Sequence, residues 1–216
     1  MSTRNMIISV TILIALSTLT GLLLWNRLPD PMASHWGMND QVNDTTGKFW
    51  GVFLMPFITT GMFLLFLVIP SIDPLKANIL QFRETFNAFI VVVTGFMVYV
   101  YGLTLAQNLG YINFRMSTAM LPALGLLFIF VGFLIERTKR NFFIGIRTPW
   151  TLSSDSVWQE THRVGGQLFK ASGILALAGV FFPAYSFWFL LVPLVCSSLF
   201  AVAYSYFLFQ REARSA

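Results

Sequence analysis

Long uncharged apolar runs alternate with short polar stretches along this chain, and each run has about the length of a bilayer. Crossing about 30 Å of hydrocarbon takes about 20 apolar residues at 1.5 Å each. Five runs meet this: Met6 to Trp25, Phe49 to Pro70, Phe86 to Gln107, Ser117 to Ile135 and Trp188 to Phe209, none holding a charged residue. A sixth, Ala171 to Tyr185, is shorter, but Lys170 can snorkel to the interface and extension through Leu168 brings it near spanning length. The pattern predicts an all-α, polytopic membrane protein of six helices. The first run follows Arg4 and is not succeeded by a small-x-small cleavage site, so it reads as a retained anchor helix.

Composition sharpens this picture. Of 216 residues, 56% are hydrophobic and 11% charged, against roughly 25% charged in a soluble domain. That excludes a soluble domain and a direct reader of nucleic acid. The net charge of +5 is first a topology signal in such a chain. With six spans, one side holds the N-terminus, loops 71–85 and 136–170 and the C-terminus, with eleven Lys/Arg against three (Arg27, Lys48, Arg115) on the other. The bias predicts both termini in the cytoplasm. Trp25, Trp50 and Trp188 then fall at the outer interface, where indole rings settle. The single Cys196 lies in an apolar run and can build neither an internal disulfide nor a cysteine metal site.

Packing expectations follow from small and imino residues. Pro56, Pro122 and Pro193 remove backbone donors within spans two, four and six, so kinks are expected there. Ser172, Ala176 and Gly179 on span five, and Ser197, Ala201 and Ser205 on span six, recur at helical spacing and predict that these two helices pack as a hairpin.

The spans lack the Asp, Glu, His, Lys or Arg that ion coupling requires. Their Ser and Thr hydroxyls read as bonded to carbonyls of the preceding turn or to neighbouring helices. No phosphate loop, dinucleotide turn, nucleophile elbow or His-Glu-x-x-His helix is present, and His35 and His162 lie on opposite sides of the membrane. No catalytic residue, resident metal or cofactor is expected, and the chain does not read as an enzyme.

Two loops carry side chains beyond what a connector needs. In the outer loop, 26–48, Pro29 and Pro31 hold the chain extended. Asn39-Asp40 and Asn43-Asp44 favour turns, predicting an ordered structure over the helix mouths. His35, Trp36, Asp40 and Asp44 offer either a peptide or cation site or a self-satisfied loop anchored by Trp36. In the cytoplasmic segment 136–170, Arg137, Lys139 and Arg140 read as anchors to anionic lipid. Ser153 or Ser154 caps a helix over about 155–164 whose Val157, Trp158 and Thr161 face predicts that it lies flat in the interface. Gly165-Gly166 is then the turn into span five. Arg147, Trp150 and Trp158 are residue types of recognition surfaces, but equally of lipid anchoring and carbonyl capping.

At these residues the chain resembles a known family. Asn141, the run Gly145-Ile-Arg-Thr-Pro-Trp-Thr-Leu152, Val157-Trp158, Thr161-His162-Arg163 and Gly165 are similar to the signature of the SdpI immunity-protein family. The outer loop, with Leu28-Pro29, His35-Trp36 and Lys48, is similar to the domain of unknown function at that family's N-terminal end. Asp40 stands where the family usually has Gly, and Asn43 where it usually has Asp; both types tolerate a left-handed turn.

The resemblance implies a bacterial inner-membrane protein that confers resistance to a secreted toxin peptide, and in some members also captures a cytoplasmic autorepressor. It leads to a division of labour: toxin at His35, Trp36, Asp40 and Asp44, and a cytoplasmic partner at Asn141, Arg147, Pro149, Trp150, Trp158 and His162. The chain is expected to form one integral membrane domain. Its N-terminal part is 1–85 and its SdpI-like part 86–216. The rival reading is a small transporter or exporter of a peptide or lipid-like substrate, which a polar cavity at mid-depth would favour.

Overall fold

A computed structural model describes residues 1–37, 39–110 and 114–215. The six apolar runs are helices long and apolar enough to cross a membrane. In chain order they and their connections are α1 (Thr3–Leu24), strands β1 (Met32–Trp36) and β2 (Val42–Thr46), α2 (Lys48–Ile72), a short α3 (Lys76–Gln81), α4 (Arg83–Leu109), α5 (Met116–Arg137), a one-turn α6 (Pro149–Ser153), α7 (Asp155–Ala178) and α8 (Ser186–Ser215). The all-α polytopic architecture is as the hydrophobic pattern predicts. The ordered outer loop is an antiparallel hairpin, pairing Met32 with Thr46 and His35 with Asp44. This end is termed the hairpin end and the opposite one the termini end.

The helices assemble as two groups. α1, α2 and α4 pack on one another, α5, α7 and α8 do the same, and the α4–α5 pairing joins them. In the first group Met6, Val10, Phe63, Phe86 and Ile90 are buried together near the termini end. Leu28, Met32, Val52, Tyr101 and Leu105 form a second cluster under the hairpin. As expected, span hydroxyls bond to the preceding turn: Thr59 to the Met55 carbonyl at 2.7 Å, Thr94 to Ile90 at 2.8 Å and Ser198 to Leu194 at 2.8 Å.

α7 departs from expectation. No interfacial helix ends at 164: α7 is one 24-residue helix that runs through Gly165-Gly166. In lipid a broken helix leaves N–H groups without partners, so paired glycines serve close approach rather than a turn. A Cβ on Gly132 would lie 2.6 Å from the Gly166 carbonyl, and one on Gly125 2.8 Å from that of Gly173. Two glycines seven residues apart on each of α5 and α7 thus bring the antiparallel backbones together, as small residues do in membranes.

α7 accordingly packs most extensively on α5, with α8 as its second partner. The predicted α7–α8 seam is present: Ser172 and Ser197 share a 2.9 Å hydrogen bond, and Ala176, Ala201 and Ser205 are buried. Lys170 extends along α7 to meet Glu136 at 2.7 Å beside the ring of Phe133, so its snorkelling ends on a carboxylate.

Candidate functional sites at the two ends

At the hairpin end, three anchors fix β1 and β2. Met32 packs against Gly51 of α2. The Asn108 amide of α4 receives the Ala33 N–H at 2.7 Å and donates to the Ala33 carbonyl at 3.0 Å, taking the place of a neighbouring strand. Asp40, with φ of 60°, turns its carboxylate to the start of α5. There it accepts the Ser117 N–H and hydroxyl, both at 2.8 Å, and faces Arg115 at 3.6 Å. An anion at a helix N-terminus satisfies free N–H groups and opposes the helix dipole. The left-handed backbone at 40 suits an Asp in place of glycine.

These anchors leave a cleft of about 720 Å³ between the hairpin, the first turns of α5 and the 183–188 corner. His35, Trp36 and Asp40 line it together with Asn43, whose Oδ1 receives the His35 Nδ1 proton at 2.6 Å. Asp44 does not line it; its carboxylate is turned to its own Thr45 N–H at 2.8 Å. Asp44 is paired with His35 across a ladder whose register shifts on either side of His35, and it is this irregular stretch that turns its carboxylate away from the cleft. Among the described residues no three His, Cys, Asp or Glu groups lie close enough to hold a metal, so the cation alternative finds no support in the geometry.

The opposite wall is Met116, Met120, Phe187 and Trp188, with Arg115 beside them; of these the sequence marks only Trp188, as an interfacial indole, and Arg115, as a topology charge. No local signal ties it to Asp40, 75 residues earlier. The indole N–H of Trp36 is buried without a partner among the described residues.

At the termini end the signature folds into a cap over α5, α7 and α8. Asn141, fully buried, is its hub: the amide donates to the carbonyls of Lys139 (2.8 Å) and Ile144 (2.9 Å) and accepts the N–H groups of Phe143 (2.9 Å) and Ile144 (2.6 Å). Trp158 is 1% exposed, donates to the Thr138 carbonyl at 3.2 Å, and stacks on His162 with ring centroids 4.0 Å apart. His162 Nδ1 donates to the Trp158 carbonyl at 2.7 Å and Nε2 accepts the Ile146 N–H at 2.8 Å, which fixes the neutral Nδ1–H tautomer. Gly145, at φ of 118°, lies against that imidazole, where a Cβ would collide with Nε2.

Thr148, Pro149 and Thr151 make a capping box that starts α6, with Pro at the first helical position where its missing N–H costs nothing. Thr148 also bonds Ser205 of α8 at 3.1 Å. Of the two candidate caps, Ser153 and Ser154, it is Ser154 that caps α7, and with Ser156 it donates to Glu212, both at 2.7 Å. The predicted flat helix is therefore corrected: Val157, Trp158 and Thr161 are buried in the helix assembly, with the Trp158 indole turned to the Thr138 carbonyl.

Asn141, Trp158 and His162 are thus interior groups whose polar atoms are met by the chain's own backbone. Of the predicted partner residues, Arg147 and Pro149 are exposed and Trp150 is half-buried. Arg147 bonds the Phe142 carbonyl at 2.7 Å and Trp150 lies edge-on to Tyr206. The α2–α3 connection clips to the cap: buried Asp73 accepts the Phe142 N–H at 2.9 Å, and Asn78 donates to the Arg140 carbonyl at 2.8 Å. Neither had been foreseen.

Comparison with known proteins places both regions. Residues 137–206 match the SdpI/YfhL protein family, and residues 12–60 match a domain of unknown function (DUF1648). The first match contains the cap, α7 and most of α8; the second contains the hairpin. Over 211 residues, 96% of this chain and 97% of the relative, the chain is 26% identical to the immunity protein SdpI of Bacillus subtilis (strain 168). No solved structure matches it. The resemblance read from the signature is borne out. With the six apolar helices it supports a multi-pass protein of the cell membrane with an immunity function.

Proposed function

We propose that this member of the SdpI family protects its cell by capturing a secreted toxin peptide at the cleft under the hairpin, on the outer face of the membrane. The orientation rests on the eleven-to-three Lys/Arg bias toward the termini end, which is the cytoplasmic side by the positive-inside tendency. The observation that carries the site is the cleft itself: an apolar wall of Met116, Met120, Phe187 and Trp188, with Arg115 and His35 also lining it. Aromatic side chains and Arg dominate binding energy at protein surfaces, and among the described residues the Trp36 indole N–H has no partner. Asp44, turned to its own backbone, is not part of this site.

Toxin survival of sensitive bacteria expressing the chain tests this. Trp36→Ala and Arg115→Ala, at unchanged membrane abundance, are expected to abolish protection; two variants that protect as well as the parent would refute the cleft. We further propose that a cytoplasmic repressor, where one is present, docks on Arg147, Pro149 and Trp150, the accessible part of the cap. Asn141, Trp158 and His162 hold that surface in shape. Because the two ends cannot touch, signalling between them needs helices with two arrangements biased by both sites. The α4–α5 joint and the Asp73–Phe142 clip are where the two helix groups meet. Arg147→Ala with Trp150→Ala should eliminate membrane recruitment of the repressor while leaving protection intact.

A further inference from the structure

The two helix groups meet along α4–α5, whereas α2 and α7 are not packed against one another. Near the termini end this leaves a recess of about 380 Å³, walled by Phe66 of α2, Phe86 and Phe89 of α4, Leu134 of α5, Ile144 of the cap and Phe169 of α7. Every side chain lining it is apolar, so water would find no polar side chain there. An apolar recess of this size and lining suits a flexible hydrocarbon chain.

Charge identifies the rest of the ligand. Arg83, the first residue of α4, holds its guanidinium 5.9 Å from the ring centroid of Phe86, a wall residue. Among the described residues Arg83 has no ion-pair partner; Lys76, Arg137 and Lys139, at the same end, have none either. A half-buried guanidinium against the ring of a recess-lining residue is matched by a phosphate attached to a hydrocarbon chain, since Arg binds phosphate through paired N–H groups.

We propose that this recess is a lipid site that seats one acyl chain of an anionic phospholipid of the adjoining leaflet, with the phosphate on Arg83. The lipid then fills the gap between the two helix groups beside the Asp73–Phe142 clip. The site lies apart from the hairpin cleft, and the inference does not depend on toxin capture.

The test uses the full chain purified in mild detergent and reconstituted in vesicles of phosphatidylcholine with and without phosphatidylglycerol. Phospholipid retained after washing is identified by mass spectrometry, and a phosphatidylglycerol with a photoreactive acyl chain maps contacts. The parent is expected to retain phosphatidylglycerol preferentially and to label peptides containing 131–135 and 143–146 above the exposed α8 face at Leu199 and Phe207. Arg83→Gln should lose about tenfold of that preference, the worth of one charge-assisted hydrogen bond, while still accepting phosphatidylcholine. Val131→Trp, which fills the recess, should lose retention of both lipids.

Labelling of α8 equal to that of the recess would overturn the proposal, as would undiminished phosphatidylglycerol preference in Arg83→Gln. If Val131→Trp does not accumulate, the labelling map and the Arg83→Gln exchange still decide. Retention of phosphatidylcholine equal to phosphatidylglycerol by the parent would refute the headgroup assignment.

Discussion

The two ends of the molecule hold their residues in opposite ways. In the cap, Asn141, Trp158 and His162 are buried and their hydrogen-bonding atoms are occupied by backbone groups. At the hairpin, His35 is exposed, the Trp36 indole N–H has no partner among the described residues, and an open cleft of about 720 Å³ lies beside them. The most recognisable sequence in the chain therefore builds a scaffold, while the less distinctive loop presents free surface. A signature motif can mark what folds a segment rather than what touches a partner.

Substitutions can break that contrast. The largest effect is expected for Trp158→Ala, which deletes a buried stacked indole and should cost about 3–5 kcal/mol. Thermal unfolding in detergent and membrane abundance would show it, and a variant as stable as the parent would remove the scaffold reading. Asn141→Ala strands the Phe143 and Ile144 N–H groups and should cost about 1–3 kcal/mol for each buried group left unsatisfied. Gly145→Ala meets both a left-handed backbone and the His162 ring, and is expected to destabilise by roughly 1–3 kcal/mol.

At the other end the readout should change from stability to protection. Asp40→Ala removes a cap from α5, worth about 0.5–2 kcal/mol, and frees Arg115, so it should lower both unfolding temperature and toxin survival. Smallest of all, Asp44→Asn should leave stability within about 0.5 kcal/mol and protection unchanged. If Asp44→Asn abolished survival while Asp40→Ala did not, the cleft would have been placed on the wrong face of the hairpin.

Much of this was legible in the chain. Six spans followed from run length, the α7–α8 seam from Ser and Ala at every fourth position, and the Ser154 cap from a hydroxyl ahead of an acidic first turn. The misreading of Gly165-Gly166 has a physical cause: a glycine pair permits either a turn or a close helix crossing. Only the presence of Gly125 and Gly132 on α5, opposite Gly173 and Gly166, selects the crossing. Likewise Asp40 and Asp44 have the same chemistry in the sequence, and only the fold separates them: Asp40, in the turn, reaches Ser117, while Asp44, on β2, bonds the Thr45 N–H.

What the sequence determined by itself is what depends on period and local bonding. Span number and length, caps, and the two loops dense in specific side chains belong to this class, because hydrocarbon thickness and backbone satisfaction act on contiguous residues. The tertiary structure decided which groups come together across long separations: Asp40 with Ser117, Asp73 with Phe142 and Asn108 with Ala33, and it put Phe66 and Phe169 on the walls of one recess. Such pairings come from how helices pack. In lipid that packing is set by close backbone approach and mutual hydrogen bonding, which no single helix encodes alone.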